Sequence, residues 1–150
     1  MAGAGKKGRS AIERKVLSGS VREWFDARGS MRIDRVSRNA IVIEPKGHLE
    51  AGFVELFEIA VDDAITDGKP HLFWDGTAMT GYDSAFRLRL GKYCVRVKHQ
   101  VASMNVFTPQ PMVAMGASVI NIWLGGFFTM HKTRNELMET LTRVKAAPRA

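Results

Sequence analysis

The sequence predicts an α/β domain whose mixed, mostly parallel sheet is opened by a β-hairpin and covered by helices. Three observations carry this expectation. Apolar residues recur with period two between positions 31 and 43, then helical-period stretches alternate with short apolar runs to the end of the chain. Such strand–helix alternation builds a largely parallel sheet. A length of 150 residues suits one domain with a sizeable core. A composition of 45% hydrophobic and 25% charged residues excludes a disordered or collagen-like chain, and the single Cys94 leaves no internal disulfide.

Residues 1–30 are expected to form a basic, flexible segment, because residues 1–19 are small, charged and glycine-dotted. Ser20 and Glu23 stand at capping-box spacing and mark a short helix ending at Gly29. The domain proper is expected over 31–148. Met31, Ile33 and Val36, a polar turn at 37–39, then Ile41 and Ile43 predict the hairpin, with a stop at Pro45. Phe53, Leu56, Phe57, Ala60, Val61 and Ala64 share one face of a helix that ends at Gly68. The run 71–74 (HLFW) suits a buried strand, and 75–82 a polar loop.

Asp83 or Ser84 is expected to cap a helix whose buried stripe is Phe86, Leu90, Tyr93, Cys94, Val97 and Val101, leaving Leu88 and Val95 exposed. A strand follows at 103–108, then a helix from Pro111 to the glycine pair at 125 and 126. Met112, Met115, Val119, Ile122 and Trp123 are assigned to the core of that helix. A strand at 127–130 and a last helix, announced by Thr133 with Glu136, complete the order.

The net charge of +7 sits mainly in residues 1–40, where ten Lys/Arg face four acids. The remainder carries +1, so electrostatic attraction belongs first to the leading segment. No Asp, Glu, Lys or Arg occurs between Lys98 and Lys132, but Pro109, Pro111, Gly125 and Gly126 cut that run into pieces too short for a membrane span. With no apolar stretch behind the basic start, no secretory signal is expected and the chain is placed in the cytoplasm.

The stretch 72–84, LFWDGTAMTGYDS, resembles the strand–loop–helix signature of STAS domains, the fold of bacterial anti-sigma factor antagonists. Element order and loop lengths extend the resemblance to about residues 31–145, and Gly47 with Glu50 resembles the family's turn before its first helix. The family's second Ser/Thr is Ala85 here, and its glycine is Phe86. The resemblance implies a non-catalytic module that binds an anti-sigma factor or serine-kinase-type regulator. It matches Ser84 to the serine that such a kinase phosphorylates. That kinase itself holds ATP, so no cofactor is implied for this chain.

Ser84 has a physical case of its own, since a phosphate at a helix N-terminus meets the positive end of the dipole and Arg87 stands three residues on. The plain alternative is a cap residue. Asp75, Thr77 and Asp83 are expected to shape the loop, and Arg87, Leu88, Lys92 and Val95 to line the partner face. A nucleic-acid face would draw on Arg87, Arg89, Lys92, Arg96 and Lys98, but no exposed aromatics or reader motif accompany them. Catalysis and metal binding lack a motif: His48, His71, His99 and His131 are scattered, with no nucleophile elbow, P-loop or zinc spacing. The alternative function is a structural scaffold that self-associates as a homo-oligomer through the charge-free region 99–131.

Overall fold

The computed structural model describes residues 11–147. The chain forms β1 (Glu13–Ser18), β2 (Val21–Phe25), β3 (Gly29–Ser37), β4 (Ala40–Leu49), α1 (Phe53–Ile65), β5 (His71–Asp75), β6 (Ala78–Tyr82), α2 (Ser84–Val97), β7 (Ser103–Phe107), α3 (Pro111–Trp123), β8 (Phe128–Met130) and α4 (Arg134–Ala146). These strands join one sheet in the order β1-β2-β3-β4-β5-β7-β8, with β6 also paired to β4. The first four form an antiparallel meander and the later pairings are parallel, as expected of a mixed α/β sheet.

Strand alternation divides the core. Ile41 and Ile43 of β4, Leu72 and Trp74 of β5, and Met104 and Val106 of β7 meet α1, α2 and α3 on one face. Ala40, Val42 and Phe73 point the other way, onto Leu137 and Leu141 of α4. Fully buried Phe57 packs edge-on to Trp74 and Tyr93, with ring centroids 6.0 and 5.7 Å away. Offset aromatic contacts of this kind add about 0.5–1.5 kcal/mol beyond area burial. Cys94 is a small hydrophobe within this core, its thiol pushed up to about 12 by burial. No helix among the described residues is long and apolar enough to cross a membrane.

Four expectations are corrected. No helix forms at 20–29; residues 13–25 make β1 and β2, which extend the sheet that was expected to begin at 31. Val21, Glu23 and Phe25 alternate with Arg22 and Trp24, and the antiparallel register of Trp24 with Met31 outweighs the coincidental capping-box spacing. Ser20 Oγ donates instead to Asp34 Oδ1 at 2.6 Å. The expectation for residues 1–10, and for residue 148, lies outside the described residues.

Pro45 does not stop its strand. The register of β4 with β5 ends at Ile43 and that with β6 begins at Lys46, so the proline falls between two partners. The predicted polar loop 75–82 is correspondingly shortened by β6. The last correction concerns α3, which buries only Val113, Gly116 and Ile120. Val119 is half-buried, while Met112, Met115, Ile122 and Trp123, assigned to the core, are exposed.

On the α4 side, a polar strip crosses the sheet. His71 Nδ1 lies 2.7 Å from Ser103 Oγ, Asn105 Nδ2 donates to Ser103 Oγ at 3.0 Å, and His131 Nε2 lies 3.0 Å from Asn105 Oδ1. The strip satisfies the buried Asn105 amide. Burial holds the His71 imidazole below its ordinary 6.5. Just below that value the unfolded chain binds more protons than the folded one, so this group makes stability rise with pH. Urea midpoints measured from about pH 5 to about pH 7.5 are expected to climb less steeply in His71→Gln than in wild type. Parallel curves would contradict the assignment.

Candidate functional site

The far end of β4 builds the N-terminus of α2. Asp83 N–H donates to the Leu49 carbonyl at 3.0 Å, and the His48 ring Nε2 sits 2.7 Å from Asp83 Oδ1. Arg28, from the turn between β2 and β3, brings Nη2 to 3.9 Å from the same oxygen. Asp83 occupies the N-cap position, but its side chain makes no capping bond and faces His48 and Arg28 instead. Gly47, with φ 68°, lets β4 swing toward β6; its register partner on β3 is Gly29.

Asp75 is buried, at 6% exposure, and organises the turn between β5 and β6. Its Oδ1 accepts from the Thr77 hydroxyl and from Thr77 N–H at 3.2 Å, while Oδ2 accepts from Arg134 Nε at 2.9 Å. The first residue of α4 is thereby tied to the end of β5. Thr77 itself is exposed. Asp75 is thus a scaffold for the turn and, at 6% exposure, offers almost no surface of its own.

Ser84 begins α2 and is exposed. Phe86, the bulky residue in its first turn, is 2% exposed and packs between Trp74 and Tyr82, with centroids 6.3 and 6.2 Å away. Phe86 therefore points into the core and leaves the Ser84 hydroxyl uncovered. Leu88 and Val95 are each 45% exposed on the outer face, with Lys92 exposed between them. Arg87 is half-buried, and its Nε lacks a hydrogen-bond partner.

The other cations of α2 are occupied. Arg89 places Nε and Nη2 at 3.1 and 3.0 Å from the Glu58 carboxylate of α1, which raises its pKa, chiefly through that hydrogen bond. Arg96 lies over the Tyr93 ring at 5.0 Å, and Lys98 Nζ donates to the Leu124 carbonyl at 3.3 Å. Tyr93 donates to Asp62 Oδ1 at 2.6 Å; burial, then this bond, pushes its phenol far above the ordinary range. The phosphate-binding ladder suggested by charge alone is thus largely spent on holding α1, α2 and the end of α3 together.

Sequence reasoning missed how this surface continues. A Cβ on Gly91 would lie 2.9 Å from the Trp123 ring, so glycine there lets α3 close against α2. Trp123 at 48%, Ile122 at 77%, Met115 at 56% and Met112 at 63% exposure then extend the outer face of α2 into an apolar strip. The only available signal was that α3 is apolar on more than one stripe, which a half-buried helix does not require. The crevice beneath, lined by Trp74, Phe86, Leu90 and Ile120, holds only about 40 Å³, close to the volume of one water.

This architecture is that of SpoIIAA-like, STAS-type domains. The chain is similar in fold to the anti-sigma factor antagonist SpoIIAA in its unphosphorylated form, with a TM-score of 0.56 and 21% identity over 79% of this chain and 99% of that one. The Bacillus cell fate determinant SpoIIAA in its phosphorylated form gives 0.55 and 19% identity, over 74% and 98%. An anti-sigma factor antagonist from Mycobacterium paratuberculosis gives 0.52 and 14%, over 88% and 95%. No protein-family model matches the chain, and no curated protein matches it in sequence.

The Asp75 hub generates a stability prediction. Hydrogen bonds to a charged group contribute about 1.5–3 kcal/mol, so Asp75→Ala is expected to lower the unfolding free energy by about 2–3 kcal/mol in urea titrations. Asp75→Asn, which keeps an acceptor for Thr77, is expected to lose less.

Proposed function

We propose that the chain is a non-catalytic regulatory module that binds a serine-kinase-type or anti-sigma-type protein through the outer faces of α2 and α3. Phosphorylation of Ser84 controls that binding. The observation that carries the reading is an exposed apolar strip on α3 together with an exposed serine at the start of α2, the two elements being linked by Tyr82, whose hydroxyl donates to the Met112 carbonyl at 3.4 Å. Such a strip on a folded domain marks a protein-binding surface. Leu88, Val95, Trp123 and Ile122 serve as anchors, with Arg87 and Lys92 as charged neighbours.

A phosphate on Ser84 adds about −1.5 to −2 charges at neutral pH, beside Arg87 and at the positive end of α2. It would change the sign of the surface where a partner reads Arg87 and Lys92. The fold likeness supports this reading, since SpoIIAA has been solved in phosphorylated and unphosphorylated forms. In this reading Thr77 and Asp83, which flank β6, belong to the same partner surface.

The test is capture from lysate of the native host with wild-type, Ser84→Ala, Ser84→Asp and Ile122→Asp baits, followed by identification of what is retained and calorimetry with the purified partner. A kinase-type regulator held by wild type and Ser84→Ala, with affinity at least about tenfold weaker for Ser84→Asp and Ile122→Asp, is the expected result. Equal affinity for all four baits would refute the switch and the anchor. Retention of no regulator would refute the binding module.

A further inference from the structure

The β1–β2 hairpin carries the sheet past the edge of α1 and leaves a groove of about 710 Å³ between them. Buried Ile33, Ile41 and Leu56 close its floor, while Trp24 is half-buried and Ile59 of α1 is 51% exposed. The charged lining is Arg14, Arg22, Arg35 and Arg38 against Asp63 and Asp67. Arg14 pairs in register with Trp24, and Arg22 with Ile33, so strand alternation turns both toward the groove and leaves Glu13 and Glu23 on the opposite face.

These charges do not cancel. Both acids are taken by Arg35, whose guanidinium lies 3.9 Å from Asp63 Oδ2 and 2.9 Å from Asp67 Oδ2. Arg22 donates to the Gly19 and Val21 carbonyls at 2.6 and 3.2 Å, which fixes its guanidinium and leaves its charge in place. Arg14 and Arg38 are exposed, and neither has a carboxylate partner among the described residues. Arg14 is level with Met31 of β3, and Arg38 lies just past the end of that strand at Ser37, so the uncancelled cations are spread over about 20 Å. Between them stand an accessible indole and an accessible isoleucine.

Whatever fills this groove must bring negative charge and apolar side chains together. Residues 1–10 and 148–150 contain no Asp or Glu and cannot supply the charge. A second copy offers little, because Glu58 and Asp62 are held by Arg89 and Tyr93, and Asp63 and Asp67 by Arg35. A nucleic acid has the charge but would meet one aromatic ring, where stacking along a strand needs successive ones, and would leave the aliphatic floor unused. We infer that the groove docks an acidic segment of another protein, one that interleaves Asp or Glu with large aliphatic residues. Its carboxylates face Arg14, Arg22 and Arg38, and its aliphatic side chains lie on Trp24 and Ile59. A length of about 20 Å takes about six extended residues or about 13 helical ones. Among the described residues, none of α2 or α3 lines the groove, so this inference does not depend on the proposed function.

The test is fluorescence anisotropy of a labelled peptide of about 14 alternating Glu and Leu residues, titrated with the full chain at low and high salt. Poly-glutamate and oligothymidylate of similar length serve as competitors. Saturable binding is expected, weakened at least about tenfold by salt, by Arg14→Glu/Arg38→Glu and by Ile59→Asp, and unchanged in Ile122→Asp. All three groove positions are exposed, and circular dichroism checks that each variant is folded. Poly-glutamate is expected to compete at least about tenfold less well than unlabelled peptide, since it brings no aliphatic side chain. No saturable binding, equal affinity for wild type and both groove variants, or loss in Ile122→Asp instead overturns the inference. So does tighter competition by oligothymidylate than by the peptide, which makes the occupant a nucleic acid. A wild-type dimer in sedimentation equilibrium that Ile59→Asp dissolves also overturns it, by making the occupant a second copy.

Discussion

A hydrogen bond from Asp83 N–H to the Leu49 carbonyl, 3.0 Å long, joins the last residue of β4 to the first turn of α2. The placement of the N-terminus of α2 depends on that join. It requires β4 to run ten residues, pairing with β5 over its first half and β6 over its second. The chain can leave β5 and return to β4 because Asp75 folds the intervening turn around its own carboxylate. The backbone of β4 bends to meet β6 at Gly47, where a positive φ is needed. His48 then faces Asp83, and the exposed start of α2 follows from strand geometry rather than from a helix cap.

The helices were legible in the sequence because each buries one stripe of helical period. Phe86, Leu90, Tyr93, Cys94 and Val97 are buried as expected, and Leu88 and Val95 are exposed on the far side. The Thr133–Glu136 capping box forms as its spacing predicts. What sequence could not show was pairing. β6 and the β1–β2 hairpin are short segments whose conformation is set by neighbouring strands, and a five-residue strand without a partner has no local signature stronger than a turn. The face of α3 was misjudged for a related reason. Its apolar residues occupy several stripes, and only the position of α2, fixed through Gly91 and Trp123, decides which stripe is covered.

Charge shows the same division between composition and placement. The basic excess of the leading residues looked like a loose arm, yet Arg14 and Arg22, two of the five charges of the β1–β2 hairpin, are directed by strand alternation onto one face of the sheet. The basic face of α2 looked continuous, yet Arg89, Arg96 and Lys98 are committed to Glu58, Tyr93 and the Leu124 carbonyl. Counting cations along a sequence therefore overstated the charge available on α2.

Phe86 links these points to the proposed control at Ser84. In the first turn of α2, Phe86 is a core anchor between Trp74 and Tyr82 and leaves Ser84 exposed. With Leu90, Tyr93 and Val97 buried behind it and Arg89 clamped to Glu58, α2 is held along its whole length. A close-packed helix of this kind does not shift gradually under a local charge, because interiors yield by discrete repacking rather than by continuous deformation. A modification at Ser84 would therefore be read where it occurs, as a change of potential beside Arg87 and Lys92. The apolar strip of α3 would keep its shape in both states, supplying affinity while the helix terminus supplies the sign.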